Sequence, residues 1–177
     1  KGRQVFDSRG NPTVEAEIFL DNGSSATAIS PSGASTGAFE AHELRDKDQK
    51  KFLGKSVNTA VQNINSKISN KLKNLNFDQQ EKIDKILIDL DGSENKTNLG
   101  ANATLAVSLA YAKCTAIANK QSLYKSFGKS YSLPIPLMNI INGGAHADND
   151  LNIQEFMIRP DSAKNFTDAI EKCFLVI

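Results

Sequence analysis

Thr13-Val14-Glu15-Ala16-Glu17-Ile18-Phe19-Leu20 alternates before turning apolar, and Asp21-Asn22-Gly23 follows at once. Alternation with period two reads as a strand with one face buried. Asp-Asn-Gly after such a run is a strong hairpin signal, and Ser25 to Ile29 reads as the return strand. Upstream, Arg3 to Phe6 is a further strand-like piece, so the chain opens as a short antiparallel meander. Ser30 to Gly37 is small, polar and Gly-rich, which predicts a loop.

Downstream of that meander the apolar spacing becomes helical. Val57, Ala60, Val61, Ile64, Ile68 and Leu72 lie on one helical face. Asp78 is the expected N-cap of a helix carrying Ile83, Ile86, Leu87 and Leu90, with Glu81 as a capping-box variant and Asp91-Gly92 as its stop. Ala101 to Ala118 is rich in Ala, Leu and Val, which suggests close packing on all sides. Ser122 to Phe127 predicts a last short helix stopped at Gly128.

From Pro134 the pattern changes again. Pro134 to Ile141 is a near-continuous apolar run ending in Asn142-Gly143-Gly144, and Ile153 to Ile158 is a second short strand ended by Pro160. Strands of that kind are expected to be buried on both faces, as in a barrel or parallel sheet. The expected organisation is an α+β domain over 1–132 and the first strands and helix of an α/β, TIM-like barrel over 133–177. Phe166, Ala169, Ile170, Cys173, Phe174 and Ile177 repeat on one helical face with no stop signal after them. Both ends therefore read as cut, and the chain is expected to be a fragment.

Composition narrows the function classes. Twenty-one Lys and Arg nearly cancel twenty Asp and Glu, giving a net charge of +1, so no overall field argues for nucleic acid or an anionic membrane. The basic stretch Lys67 to Lys73 alternates with apolar residues and reads as a solvated helix face. Cys114 and Cys173 sit in apolar helical patterns, which predicts buried free thiols in a reducing compartment. No apolar run is long enough for a membrane span, and the opening residues lack the apolar core of a signal peptide. A cytoplasmic protein is expected.

Three polar segments carry more chemistry than a scaffold requires. Asp7-Ser8-Arg9-Gly10-Asn11-Pro12 reads first as a turn between strands. Pro31-Ser32-Gly33-Ala34-Ser35-Thr36-Gly37 is a hydroxyl-rich loop of the kind that closes over anions or offers oxygen to hard cations; its plain alternative is a surface linker. In the third, Asn142 to Asp148 places His146 after the first barrel strand, and Gln154-Glu155 interrupt the second. A carboxylate in a buried strand is costly unless paired or part of a site, and barrel enzymes gather catalytic residues at strand ends. The plainer readings are a capping carboxylate and a satisfied loop histidine. His42, in Glu40-Ala-His-Glu-Leu-Arg, reads as part of a solvated helix face.

Six strings in register carry a resemblance over the whole chain. They are Asp-Ser-Arg-Gly-Asn-Pro-Thr-Val-Glu at 7–15, Pro-Ser-Gly-Ala-Ser-Thr-Gly at 31–37 and Glu-Leu-Arg-Asp at 43–46. Leu-Gly-Ala-Asn-Ala at 99–103, Asn-Gly-Gly-Ala-His-Ala-Asp-Asn at 142–149 and Gln-Glu-Phe-Met-Ile at 154–158 complete the set. Together they resemble the enolase family, bacterial type. The resemblance implies a capping α+β domain before a barrel that opens with two consecutive strands and two helices. It implies reversible dehydration of 2-phosphoglycerate to phosphoenolpyruvate in glycolysis, with Mg2+ stabilising the dianionic intermediate on the substrate carboxylate. A lysine base and a glutamate-assisted acid move the protons, and mobile loops exclude water.

By this resemblance Ser35 ligates the second magnesium, while Ala34 and Gly33 let backbone approach the substrate. His146 closes on the substrate, Gln154 contacts it, and Glu155 supports the acid side of the reaction. Arg3 resembles an arginine used across a homodimer interface, and Arg9 braces the region between the domains. Gly2 stands where Ala is more usual, and Ala38-Phe39 where a more polar pair is common. Absent are the Gly-Asp-Glu-Gly-Gly segment, the three metal carboxylates and the lysine base; a barrel takes about 250 residues. The 177-residue chain alone is therefore expected to be inactive. A non-catalytic binding or scaffold role is the alternative, and a cell-surface presence is known of other enolases. The serine loop argues against an acid-sugar member of the wider superfamily.

Overall fold

The computed structural model describes all residues except 34–36, 74 and 76–78. The described residues form two compact units, one of Lys1–Gly33 with Gly37–Phe127 and one that runs from Gly128 to Ile177. In the first, strands β1 (Gly2–Phe6), β2 (Pro12–Phe19) and β3 (Ser25–Ser30) make an antiparallel sheet in sequence order. Helical segments follow: α1 (Asn58–Asn63), a π turn (Ile64–Ile68), α2 (Ser69–Leu72), α3 (Gln80–Asp91), α4 (Ala101–Ala118) and α5 (Leu123–Ser126). The second unit has β4 (Met138–Asn142), β5 (Glu155–Ile158) and α6 (Phe166–Val176).

The alternation in β2 has the expected consequence. Val14 and Ala16 point into the core and are fully buried, and Ala28 of β3 lies opposite Ala16. These small inward residues let the Ala-rich α4 lie across β2 and β3, where it joins a core with Ala103, Ala106, Val107 and Ala110. The hairpin tip is closed by the Gly23 amide donating to the Leu20 carbonyl, with Gly23 at φ 84°. Asp7 shapes the other turn, accepting from the Asn11 and Arg9 amides at 2.9 Å each. Those bonds, that of Asn11 foremost, hold its carboxyl below the ordinary range.

Three expectations change. Glu40 to Asp46 is an extended segment rather than a helix face: the His42 amide donates to the Asn95 carbonyl at 2.6 Å, and the His42 carbonyl accepts from the Ala101 amide at 2.8 Å. Helix α4 is not packed on all sides: Ala103, Ala106, Val107, Ala110 and Tyr111 are buried, while Leu105, Leu109 and Ile117 are exposed. The strands β4 and β5 are antiparallel and largely exposed, Ile141, Phe156 and Met157 among them, since the described residues supply them with no third strand. The expected cap Asp78 lies outside the described residues. The stop of α3 is as read, with Gly92 at φ 68° and its amide on the Ile88 carbonyl.

The strings at 43–46 and 99–103 prove to be one device. Asn102 clamps the extended segment at both backbone atoms of Leu44, accepting from its amide at 3.2 Å and donating to its carbonyl at 3.0 Å. Gly100, at φ 95°, passes so close that a Cβ there would lie 2.6 Å from Leu44 Cβ. The anchored segment then places Asp46 over the start of α1. Its carboxylate accepts from the Ser56 hydroxyl and the Asn58 amide at 2.8 Å and from the Thr59 amide at 2.9 Å. The amides are orphan donors of a helix start, and Val57, the local N-cap, gives no side-chain bond. Burial raises the Asp46 pKa, but the bonds from Thr59, Ser56 and Asn58 outweigh it and bring the carboxyl down to about 2.

Two outcomes follow from this device. Asp46→Ala is expected to lower stability by about 1 kcal/mol at neutral pH. Its folded pKa lies below the unfolded one, so the contribution is complete above about pH 4 and lost as pH falls toward 2. Urea titrations of both forms should therefore converge over that interval; a gap that stays constant to pH 2 rules out the carboxylate as the cap. Gly100→Ala is expected to destabilise by about 2 kcal/mol or more, from φ strain and the collision with Leu44 together. A melting temperature equal to that of the wild type would contradict this.

Candidate active site

The second unit builds its polar cluster from a short hairpin. In the β4–β5 pair Asn142 lies opposite Glu155, while Asn139 faces Met157 and Ile141 faces Phe156. Ile140 is thus an extra residue, and such a bulge bends a strand and re-aims its side chains. Beyond β4 the chain makes a tight turn at Gly144–His146. The Gly143 amide donates to the Gln154 carbonyl at 2.9 Å and the Gly144 amide to the Leu151 carbonyl at 2.7 Å. The loop thereby returns against its own start. Only glycine fits at 143, since a Cβ there would lie 2.5 Å from the Ile153 carbonyl oxygen and 2.6 Å from Leu151 Cβ.

This return brings three predicted residues together. His146 Nδ1 lies 2.7 Å from Glu155 Oε1, with each side chain about a quarter exposed (23% and 27%). On the other side of the ring, Gln154 Nε2 lies 2.6 Å from His146 Nε2. A carboxylate oxygen can only accept, so Nδ1 carries a proton and donates; in the neutral ring Nε2 is then the acceptor for the Gln154 amide. The imidazole is held at both nitrogens, with its tautomer set by the Glu155 contact. The sequence-based expectation of a costly carboxylate is met by this pairing and by partial exposure rather than by deep burial.

Ala34 and Ser35 lie outside the described residues. The segment before them is anchored by Ser32, whose hydroxyl donates to Glu43 Oε2 at 2.8 Å. Arg45 holds Glu43 in turn at 2.6 Å and donates to the Pro12 carbonyl at 2.8 Å. Arg3, on the outer face of the first sheet, pairs with Glu15 and Glu17 of β2. The Arg9 side chain is exposed. A hard cation such as magnesium takes several oxygen ligands at once. Among the described residues no three Asp, Glu, His or Cys side chains gather for a metal, and Glu155 is turned to His146. These residues alone do not make up a magnesium site.

Sequence reasoning missed the asparagines that frame the loop. Asn149 Nδ2 donates to the Asn142 carbonyl at 3.0 Å, and its Oδ1 accepts from the Leu151 amide at 3.0 Å. Asn139 donates to the side chain of Asn142. The signal was present as asparagines at 139, 142 and 149, flanking the Gly-Gly pair and its histidine.

Comparison with known proteins agrees with this layout. Residues 1–127 match the family model of the enolase N-terminal domain, and residues 130–176 match that of the enolase C-terminal TIM barrel domain. The chain belongs to the enolase family. An enolase from Pelagibacter ubique (strain HTCC1062) is 61% identical over 179 residues, covering all of this chain and 43% of that protein. The chain thus spans less than half the length of this enolase. Within the family frame, the exposed strands β4 and β5 are the opening pair of the barrel domain.

The hydrogen-bond pattern makes a spectroscopic prediction. Neutral His146 should carry its ring proton on Nδ1, whereas a free histidine favours Nε2. Nitrogen-15 correlation spectra of selectively labelled protein would show this directly; an Nε2–H ring would mean that the Glu155 contact does not set the tautomer.

Proposed function

We propose that the intact protein to which this chain corresponds is an enolase that interconverts 2-phosphoglycerate and phosphoenolpyruvate. The supporting observation is the His146–Glu155–Gln154 network, held at the mouth of the β4–β5 hairpin in a chain of this family. Dehydration removes a very weakly acidic proton next to a carboxylate and expels hydroxide, so the leaving oxygen needs a proton donor. Glu155 supports that acid side, and its contact with His146 keeps the carboxylate and the imidazole in one orientation. His146 and Gln154 line the substrate, His146 from a loop pinned at its base by Gly143. Magnesium supplies the charge that stabilises the dianionic intermediate when bound, with Ser35 as one ligand and carboxylates outside this chain as the others. A homodimer with Arg3 at its interface and a cytoplasmic location complete the proposal. No described helix is long and apolar enough to cross a membrane.

In the intact protein, Glu155→Gln keeps the shape of the side chain and removes its charge. It is expected to lower kcat for 2-phosphoglycerate about 10²- to 10⁴-fold, followed by the ultraviolet absorbance of the enol product. Turnover within threefold of the wild type would exclude the role of Glu155. Chelation should abolish turnover and magnesium restore it; an intact protein with no turnover under any of these conditions leaves the binding or scaffold role.

A further inference from the structure

The loop that carries His146 is exposed, yet both of its ends are tied. Its first residues are held by backbone bonds from Gly143 to Gln154 and from Gly144 to Leu151. Between 145 and 150 the backbone bonds are local, from the His146 amide to the Gly143 carbonyl at 3.0 Å and from the Asn149 amide to the Ala147 carbonyl at 3.1 Å, and none ties the return of the loop to β4. What closes that side is one side chain, Asn149, which reaches back to the carbonyl of Asn142 at 3.0 Å while accepting from Leu151 at 3.0 Å. We propose that Asn149 is a positioning residue: it clips the return of the loop to the end of β4 and so fixes the ring of His146 between Glu155 and Gln154.

The geometry explains why one amide suffices. Asn142 is the residue opposite Glu155 in the hairpin register, so a bond to its carbonyl ties the loop to the strand pair that carries Glu155. The Leu151 amide opens the stretch that leads into Gln154, so the second, local bond fixes the chain approaching the amide partner of His146. Asn149 thus spans the two backbones whose separation sets both contacts of the imidazole. An asparagine is required because the site needs one donor and one acceptor on a short side chain. Asp keeps the acceptor alone, and Ala keeps neither.

The kinetic arm of the test rests on the enolase reading; the spectroscopic arm does not. In the intact protein Asn149→Ala and Asn149→Asp are each compared with the wild type. With the clip lost, the neutral ring of His146 should shift from Nδ1–H toward the Nε2–H form in nitrogen-15 spectra. KM for 2-phosphoglycerate should rise about fivefold, as expected for one net hydrogen bond of preorganisation, with kcat within twofold. A merely structural role would lower the yield or melting temperature without moving the tautomer. An unchanged tautomer in a folded Asn149→Ala protein overturns the proposal, as does an Asn149→Asp protein with wild-type tautomer and KM. If the intact protein shows no turnover at all, the enolase reading fails while the tautomer shift still decides the role of Asn149.

Discussion

The two hydrogen bonds between Asn102 and the backbone of Leu44 are the constraint on which the first unit is organised. They join the start of α4, the helix that covers the sheet, to an extended segment with no regular partner of its own. A backbone amide or carbonyl left unpaired would be costly, and Asn102 serves both groups of Leu44 between the backbone bonds that hold His42 and Asp46. From that fixed point Glu43 and Arg45 reach Ser32 at the base of the serine loop, and Asp46 reaches the start of α1. One side chain thus couples the sheet-covering helix, a helix cap and the contacts of Ser32. Gly100 makes the coupling possible, since its φ of 95° and its contact with Leu44 leave no room for a Cβ.

The second unit repeats the logic with glycine and asparagine. Gly143 lets the return strand approach to a distance at which a methyl group would collide with backbone, and Asn149 spans the gap that the backbone ladder leaves open. The imidazole of His146 is oriented by what surrounds the loop rather than by burial. Each contact there is partly solvated, and a hydrogen bond of that kind contributes about 1 kcal/mol net. Orientation of the ring therefore depends on several weak ties acting through the same backbone.

The fold was legible where periodicity acts alone. Alternation at Thr13–Ile18 and the Asp21-Asn22-Gly23 turn defined the meander, spacing defined α3 and α6, and Ala-rich composition marked α4. It failed where long-range polar bonds override local pattern. Glu40-Ala-His-Glu-Leu-Arg has helical composition, but its backbone is claimed by Asn95, Ala101 and Asn102, residues far along the chain. The Ala-rich face of α4 signalled close packing correctly but could not say on how many sides. In the site, His146, Gln154 and Glu155 were legible as unusual residue types in apolar surroundings. The role of Asn149 was not, because an asparagine in a polar loop looks like any turn residue until its two partners are known.

The two units also differ in how far they complete themselves. The first encloses a continuous core from Val14 to Ala110, with residues of α1 to α4 contributing to it or flanking it. In the second the buried apolar residues are Ala169 and Cys173, while Phe174, Leu175 and Ile177 stand about four-fifths exposed. At roughly 25 cal/mol per Å² of apolar surface, those side chains withhold from this chain the burial that stabilises a barrel. The continuous core therefore resides in the first unit, and the His146 network in the second. The His146 network is bonded internally through Gly143 and Asn149, so its local geometry needs no third strand. What the uncovered faces of β4, β5 and α6 leave unfixed is the rigidity of the hairpin beneath that network. A site of this kind can have its side chains in place and still lack the stiff support that holds reacting groups to within a fraction of an ångström.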